Sequence, residues 1–272
     1  MKKTVWDRVL LARNTERPTA KTLIEYLFPN FIELHGDRLF GDDQAIIGGL
    51  ASIQDIPVTI IAEEKGKNTE DKIKHNFGMP HPEGYRKALR LMQQAEKFKR
   101  PIITIIDTPG AYPGLGAEER GQAQAIAFNL KKLMDLKTPI IVIILGEGGS
   151  GGALAIGVGD HIMMFENAIY SILSPEGFAS ILFKDSSKAK EASEFMKLTA
   201  SDLKEFHVID EIVYEGKGLN IEPKVGFENL KKSIIKQLKM LTKMDLDILM
   251  KNRYQKFRNM GVFQESVIED EK

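Results

Sequence analysis

The sequence predicts an α/β fold built on a largely parallel sheet with helices on both faces. Strand-like and helix-like segments alternate between residues 56 and 157. The strand-like segments IPVTIIA, PIITIID and PIIVIIL are continuous apolar runs, as in strands buried on both faces. Glycine-rich turns follow the second and third of these runs, as they do at the carboxyl edge of parallel sheets.

The amino-terminal region predicts an amphipathic arm over residues 1–21, interrupted at Pro18. Its apolar residues at helical spacing are Val5, Trp6, Val9 and Leu10. We expect this arm to dock elsewhere, for example on another subunit. A helix is predicted over Thr22–Leu34, which Pro29 bends or ends. The turn signals HGD and FGDD then precede a strand over Ile46–Ile53.

The central part carries the alternating elements, joined early by a polar loop. Residues 63–84 are rich in charge, glycine and proline, and we expect a surface loop there. The other predicted elements are strands Ile56–Ala62, Pro101–Asp107 and Ile140–Leu145, and helices Tyr85–Phe98, Ala117–Met134 and Gly152–Gly157. For the long second helix, the spacing predicts an inner face of Ala123, Ile126, Ala127, Leu130 and Leu133.

The carboxyl-terminal part predicts shorter strands and then helices. Ser174, Pro175 and Glu176 form a helix start, with a capping hydroxyl, a proline at the first position and an acid in the first turn. The remaining predicted elements are strands His161–Phe165, Ala168–Leu173 and Val208–Tyr214, and helices Lys188–Leu198 and Ser201–Glu205. Residues 227–272 predict a charged helical extension with an acidic end. We expect one domain over residues 1–272.

Composition narrows the functional classes. The 272 residues hold 38 Lys+Arg and 38 Asp+Glu, and this neutrality argues against a dedicated nucleic-acid binder. The absence of cysteine excludes disulfides, thiolate metal sites and thiol nucleophiles. The start of the chain lacks the apolar core of a signal peptide, and the longest apolar run, Ile140–Leu145, is too short to span a bilayer. We expect a cytoplasmic protein.

The two glycine turns, DTPGAYPG and GEGGSGG, are the candidate site. Each follows a buried strand and precedes a helix, where bare backbone N–H groups are available to an anion. We expect Gly110 and Ala111 in the first turn, and Gly151 and Gly152 in the second, to form one oxyanion hole. Glycines needed only for tight packing of helix on sheet are the alternative for either turn.

A serine hydrolase is a competing hypothesis. Residues 148–152 satisfy G-x-S-x-G around Ser150, and Asp202 and His207 follow in the chain order of an α/β-hydrolase. The match is short and consists almost only of glycine, and no HGGG-type segment follows the earlier strands. A non-catalytic scaffold is a third class.

Four long motifs carry a family resemblance over residues 23–260. They are NFGMPHPEGYRKALRLM, DTPGAYPGLGAEERGQAQAIA, GEGGSGGALAIGVGD and SPEGFASILFKD. Together they resemble the alpha subunit of the bacterial acetyl-CoA carboxylase carboxyltransferase. The resemblance implies a crotonase (ClpP-like) fold, a ββα superhelix with helical extensions at both ends. It also implies carboxyl transfer from carboxybiotin to acetyl-CoA, which yields malonyl-CoA for fatty acid synthesis.

The resemblance implies substrates and partners as well. Biotin would arrive on a biotin carboxyl carrier protein, with the ureido oxygen held by the N–H groups of the two turns. Substrate-binding positions would be Tyr112, Pro113, Gly114, Gly149 and Ser150. A beta subunit in an α2β2 assembly and a biotin carboxylase would complete the complex, with no metal in this chain, no nucleic acid and no membrane. The amino-terminal arm is shorter than in longer members.

Other residues have two interpretations each. Lys65 and Lys67 would clamp a phosphate or shape the entrance to the site, or else lie in a solvated loop. Residues 118–120 lie in the first turn of a predicted helix, where acids are favourable, so we expect them to cap the helix rather than act in the site. Tyr112 would stack on the biotin ring or simply pack. The five histidines show no metal-ligand spacing.

We expect the chain to be inactive without its partner. Transfer between two carriers needs one oxyanion hole for the biotin ureido and one for the thioester enolate, and the sequence offers a single pair of turns. The apolar stripes at both ends are candidate partner contacts, with docking on the chain itself as the alternative. In the extension they are Leu246, Leu249, Met250, Tyr254 and Phe257.

Overall fold

The protein is built around one eight-stranded mixed sheet, described for residues 3–261 by a computed structural model. The strands are β1 (Ile32–Glu33), β2 (Ile46–Ile53), β3 (Ile56–Glu63), β4 (Ile102–Thr108), β5 (Ile140–Gly149), β6 (His161–Phe165), β7 (Ile169–Ser171) and β8 (Glu211–Val213). Their order is β1-β2-β3-β4-β5-β6-β8, and β7 pairs with the end of β5. From β3 to β8 all pairings are parallel, as predicted.

The first pairings, β1 with β2 and β2 with β3, are antiparallel, which the prediction of a parallel sheet missed. Strands β2 and β3 form a hairpin whose two turn residues, Gln54 and Asp55, have φ angles of 47° and 65°. Two consecutive residues with positive φ angles are typical of the two-residue hairpin turn, whose twist matches that of the antiparallel strands. The sequence lacks the usual Asn-Gly or Asp-Gly signal, so the hairpin was not recognised.

Twelve helices surround the sheet within residues 3–261. Helices α1 to α6 are Val5–Ala12, Ala20–Leu27, Thr69–Lys74, Pro82–Lys97, Leu115–Glu119 and Gln122–Asp135. Helices α7 to α12 are Ser150–Leu154, Pro175–Phe183, Ala189–Phe195, Ala200–Glu205, Pro223–Leu241 and Leu246–Arg258. Helix α4 packs on β2 and β3 with α6 beside it, whereas α2 packs on β3 and β4 with α11 beside it. The N-cap of α8 is Ser174, as predicted.

Two of the longer predicted helices are shortened or divided in the structure. Helix α2 ends at Leu27 because Pro29 cannot continue it, and the next residues join the sheet edge as β1. The helix predicted over residues 117–134 is divided at Gly121, whose φ of 84° ends α5. The buried side of α6 is also rotated from the predicted one, so that Ala123 and Ala127 are exposed. Its buried residues are Gln122, Ala125, Asn129 and Leu133.

Residues 63–84 were wrongly predicted to form a surface loop. They contain α3, a 3-10 turn over Asn76–Gly78 and the start of α4. Several of the polar residues are buried, among them Glu63, Glu64 and His75. Residues 67–70 and Lys74 are exposed as predicted, so the prediction fails for the helical parts and for the buried polar residues.

The amino-terminal arm docks on its own chain. The side chain of Thr4 caps α1 by accepting a hydrogen bond from the N–H of Asp7, 3.1 Å away. Val9 is fully buried in a small cluster with Ile169 and Leu198, whereas Leu10 is half exposed. Within the described residues, most of the apolar stripe predicted for a partner is therefore used internally.

The carboxyl-terminal helices are tied to the sheet by one buried side chain. Arg253 of α12 is 1% exposed and binds both oxygens of Asp160, at 2.8 and 2.7 Å. It also donates to the carbonyl oxygens of Leu133, Leu136 and Thr138. Leu249 and Phe257 pack on the core, and Tyr254 is exposed. The predicted acidic end over residues 262–272 lies outside the described residues.

Among residues 3–261, none of the helices combines the length and the apolar character that crossing a membrane requires.

We predict that Arg253→Met lowers the free energy of unfolding by about 3–5 kcal/mol, because it leaves the buried Asp160 carboxylate without its cation. The measurement is urea denaturation followed by circular dichroism. The matched control is Lys251→Met, an exposed position on the same helix, with an expected change within about 0.5 kcal/mol. Equal stability of the two variants would contradict the role given to Arg253.

Candidate functional site

The two glycine turns lie in contact at the carboxyl edge of the sheet. Strands β4 and β5 are paired neighbours, and Thr108 lies opposite Gly148 at their ends. A β-carbon placed on Gly152 would come within 2.6 Å of both the nitrogen of Ala111 and the carbonyl carbon of Gly110. The backbones of the two turns therefore touch, and a side chain at Gly152 would separate them.

The first turn is locked by a side chain beside it. Gly110 has a φ of 151°, which side-chain-bearing residues avoid, although open space surrounds its α-carbon. Its N–H donates to Oγ1 of Thr108 at 2.9 Å, and the same hydroxyl donates to the Gly110 carbonyl at 2.8 Å. The Gly110 N–H is thus engaged, contrary to the expectation that it is open to a ligand. None of residues 3–261 accepts a hydrogen bond from the Ala111 N–H.

The second turn passes directly from strand to helix. Strand β5 continues to Gly149, and α7 begins at Ser150, whose φ is 52°. Gly151 and Gly152 stand in the first turn of α7, where backbone N–H groups have no acceptor within the helix. No side chain caps this helix start. The helix start that carries these N–H groups thus touches the first turn, where Gly152 lies against Ala111.

Three other glycines serve close packing. A β-carbon on Gly146 would meet Oδ1 of Asp107 at 2.5 Å, and one on Gly148 would meet the Tyr170 ring at 2.6 Å. One on Gly149 would come within 2.1 Å of the Pro109 carbonyl oxygen. The packing interpretation accounts for these three positions, and Gly149 faces the first turn.

Residues 112–114 pack around one aromatic pair. The ring of Tyr112 stacks on that of His81, with centroids 4.0 Å apart and an angle of 23° between the planes. A β-carbon on Gly114 would lie 2.4 Å from the same tyrosine ring. Packing therefore occupies one face of Tyr112, whereas Pro113 is exposed. Further along, Arg120 pairs with Glu83 at 2.7 Å, away from the turns.

An apolar cavity opens beside the second turn. It has a volume of about 430 Å³. Its lining consists of Ser150, Gly151, Leu154, Tyr170, Ser171, Ile172, Leu203 and Val208. No carboxylate, imidazole or ammonium group is among these residues. Helix-start N–H groups next to an apolar space suit a ligand that is apolar with one polar edge.

A chain of alternating charges ties the strand ends together. Nζ of Lys65 lies 2.8 Å from Oδ1 of Asp107 and 2.8 Å from Oε1 of Glu147. The other oxygen of Glu147 accepts from Nε of Arg13 at 2.7 Å, and Arg13 also binds Glu176 at 2.7 Å. Asp107 and Glu147 each stand at the start of one glycine turn, so Lys65 connects the two turns.

The surroundings stabilise the charged forms of these groups. Although burial disfavours the charge on Lys65, the Asp107 and Glu147 carboxylates raise its pKa. Burial would likewise raise the pKa of Glu147, but Lys65 and Arg13 lower it. Lys65 is thus committed to two carboxylates, rather than free to clamp a phosphate, and Lys67 is exposed. Sequence reasoning missed Glu147 and Arg13, although the acid before each glycine turn was a visible signal.

Glu63 lies near Asp107 and Lys65, and its carboxyl group has no hydrogen-bond partner among the described residues. Its side chain is fully buried at the end of β3, and none of residues 3–261 bonds to either carboxyl oxygen. Burial raises the pKa of Glu63 well above its usual range, and the charge of Asp107 adds to the shift. This shift favours the protonated form of Glu63 in the folded chain.

The triad of a serine hydrolase is not assembled in the described residues. Asp202 completes the capping box of α10, in which it accepts a hydrogen bond from the hydroxyl of the N-cap residue Thr199 at 2.6 Å. His207 is exposed, and Ser150 bonds to neither of these side chains. The positive φ of Ser150 matches a nucleophile elbow, but the base and the acid are missing from its neighbourhood. Residues 3–261 also contain no group of three or more His, Asp or Glu side chains that could hold a metal ion.

Comparison with known sequences gives a consistent result. The family described as acetyl co-enzyme A carboxylase carboxyltransferase-like matches residues 1–261. Acetyl-coenzyme A carboxylase carboxyl transferase subunit alpha of Clostridium beijerinckii is 62% identical over 261 residues, which cover 96% of both chains. The subunit of the same name from Clostridium perfringens is 59% identical over 94% of both chains.

Comparison with solved structures shows the fold. The transcarboxylase 12S crystal structure matches with a TM-score of 0.69 and 17% identity, over 84% of this chain and 42% of that one. A Pseudomonas malonate decarboxylase hetero-tetramer in complex with coenzyme A matches with a TM-score of 0.66 and 15% identity, over 85% and 90% of the two chains. The predicted crotonase-type α/β fold is confirmed.

The raised pKa of Glu63 predicts a pH-dependent effect of Glu63→Gln. The unfolded chain loses this proton above a pH of about 4.3, whereas the folded chain keeps it to a higher pH. Folding of the wild type therefore weakens by up to about 1.4 kcal/mol per pH unit above that value, and the glutamine variant lacks this loss. Urea denaturation between pH 5 and pH 8 should show the stability of the variant rising relative to wild type. Glu70→Gln, at an exposed position of α3, is the control. A stability difference independent of pH would contradict the neutral state.

Proposed function

The chain belongs to the acetyl co-enzyme A carboxylase carboxyltransferase family, and from this premise we propose which step its site performs. It is the alpha subunit of the carboxyltransferase component, a transferase that moves the carboxyl group of carboxybiotin to acetyl-CoA. The product is malonyl-CoA for fatty acid synthesis. We assign to this chain the half of the site that receives biotin, which a partner protein carries.

The contact between the two glycine turns carries this assignment. When carboxybiotin releases its carboxyl group, negative charge develops on the ureido oxygen. In our proposal the N–H groups of Ala111, Gly151 and Gly152 point to that oxygen and would stabilise its charge. Gly110, whose own N–H is bonded to Thr108, sets the turn conformation. One such donor is worth about 3 kcal/mol, or roughly a hundredfold in rate.

The cavity next to Gly151 supports the same assignment. Its apolar lining suits the sulfur-containing ring of biotin, and Ser150 stands at its edge. The residues that line it carry no carboxylate, imidazole or amine, so none of them is an obvious general base. The biotin anion left when CO2 departs can itself take a methyl proton of acetyl-CoA, and the enolate so formed then attacks the CO2. On this account the protein supplies position and backbone dipoles.

We also propose an α2β2 assembly with a beta subunit that supplies the second oxyanion hole. Relatives of this chain are named as one subunit of a carboxylase. Near the site several large apolar side chains are exposed, namely Leu154, Ile172, Ile181, Leu182 and Phe195. Exposed apolar groups beside a substrate site favour a protein partner there. The biotin carboxyl carrier protein and the biotin carboxylase complete the proposed complex.

The function is tested with the isolated chain and with the beta subunit added. We expect transfer from malonyl-CoA to biocytin, the reverse reaction, only when both subunits are present. Ser150→Ala should keep most of this rate, because only backbone donors act on the ureido oxygen. A serine hydrolase would lose essentially all turnover with the same change. Full activity of the isolated chain, or loss of activity in the serine variant, would overturn the proposal.

A pair of glycine substitutions tests the contact between the turns. Gly152→Ala should lower kcat at least about a hundredfold, because its methyl group pushes the Ala111 donor away. Gly151→Ala is the matched control, since its β-carbon would meet only the Ile126 side chain at an ordinary 3.6 Å. The control keeps its N–H and should lose less than about fivefold. Both are measured in the reconstituted complex, with circular dichroism to verify folding. Equal losses in the two variants would refute the shared hole.

A further inference from the structure

Arg13 lies between the amino-terminal arm and the second glycine turn. It is the C-cap residue of α1 and is about one third exposed. Its Nε donates to Oε2 of Glu147 at 2.7 Å, and its terminal nitrogens bind the two oxygens of Glu176 at 2.7 and 3.3 Å. One side chain therefore joins α1, the end of β5 and the first turn of α8.

The position of Glu147 gives this contact its importance. Glu147 is the first acid of the turn GEGGSGG, and Lys65 holds its Oε1 while Arg13 holds its Oε2. Its backbone N–H donates to Asp107 at 2.9 Å. Both carboxylate oxygens and the backbone N–H of Glu147 are thus bonded, and these bonds fix the start of the second turn. Charge-assisted bonds of this kind are stronger and more directional than neutral ones.

We propose that Arg13 is a positioning residue of the carboxyl transfer: it fixes Glu147 and so holds the N–H donors of the second turn against those of the first. The proposal rests on the proposed function of the two turns. It makes the amino-terminal arm a working part of the site, although the arm contributes no group to the ureido oxygen.

The contact with Glu147 is the one that matters. The Glu147 side chain is 12% exposed, whereas that of Glu176 is 43% exposed. Ion pairs in solvent are weak, and those shielded from water are stronger. Loss of the Glu176 contact should therefore be tolerated, whereas loss of the Glu147 contact should not.

Arg8 provides a matched control on the same helix. It donates to the backbone carbonyl of Glu166 and to Oδ1 of Asn167, and so anchors the arm without touching either glycine turn. Arg8→Met loosens the docking of α1 as Arg13→Met does. A difference between these variants isolates the link to Glu147 from general docking of the arm.

The first experiment measures transfer from malonyl-CoA to biocytin in the complex with the beta subunit. Arg13→Met should lower kcat about tenfold to a hundredfold with little change in KM for biocytin, because the donors move and the cavity remains. Arg13→Lys should recover part of the loss by keeping a cation near Glu147. Arg8→Met and Glu176→Gln should each change kcat less than about threefold.

The second experiment does not depend on activity. Hydrogen–deuterium exchange of the isolated chain should be about tenfold faster in residues 147–153 of Arg13→Met than in wild type. Arg8→Met should leave exchange in that segment unchanged. Hydrogen–deuterium exchange therefore tests the positioning role of Arg13 separately from the proposed carboxyl transfer. If Arg13→Met exchanges faster but the wild-type complex transfers no carboxyl group, only the proposed function is refuted.

Two results would overturn the positioning role. One is an equal loss of kcat in Arg8→Met and Arg13→Met, which would mean that docking of the arm alone matters. The other is unchanged exchange in residues 147–153 of Arg13→Met, which would mean that the turn is held without Arg13.

Discussion

The bridge from Lys65 to Asp107 and Glu147 is the constraint on which the site depends. Two neighbouring parallel strands each carry an acid near the carboxyl end, and two buried carboxylates side by side would repel each other. The ammonium group between them turns this repulsion into a link, at 2.8 Å to each. Asp107 and Glu147 stand at the start of the two glycine turns. The Lys65 side chain, which follows β3, therefore helps to set the distance between the turns.

In the proposed site, backbone N–H groups act where many enzymes use side chains. The β-carbons missing at Gly149 and Gly152 allow the two turns to approach until their main chains touch. In that arrangement the helix start of α7 and the loop after β4 lie side by side, as the proposed oxyanion hole requires. Donors fixed in this way need no rearrangement during the reaction, which makes electrostatic stabilisation effective. The same closeness makes the site sensitive to a single added methyl group.

The periphery of the fold supports this edge of the sheet from several sides. Arg17, with its guanidinium buried, binds the Leu145 carbonyl oxygen and the Glu215 carboxylate, and so ties the arm to β5. Arg253 does the corresponding work at the other end of β5, where Asp160 bonds the N–H of Ile140. Buried ion pairs of this type contribute little net stability, but breaking one is costly. They specify one geometry for the strand that carries the second turn.

The sequence alone determined the parallel strands, the strand-turn-helix order and the place of both glycine turns, because buried strands and glycine punctuation are local patterns. Four motifs also identified the family. The tertiary structure alone decided which charges pair, since Lys65, Asp107, Glu147 and Arg13 are far apart in the chain and meet only at the sheet edge. It also decided that the Gly110 N–H is engaged and that the arm packs on its own chain. Periodicity shows which residues prefer burial, but a contact also depends on how the chain returns in space.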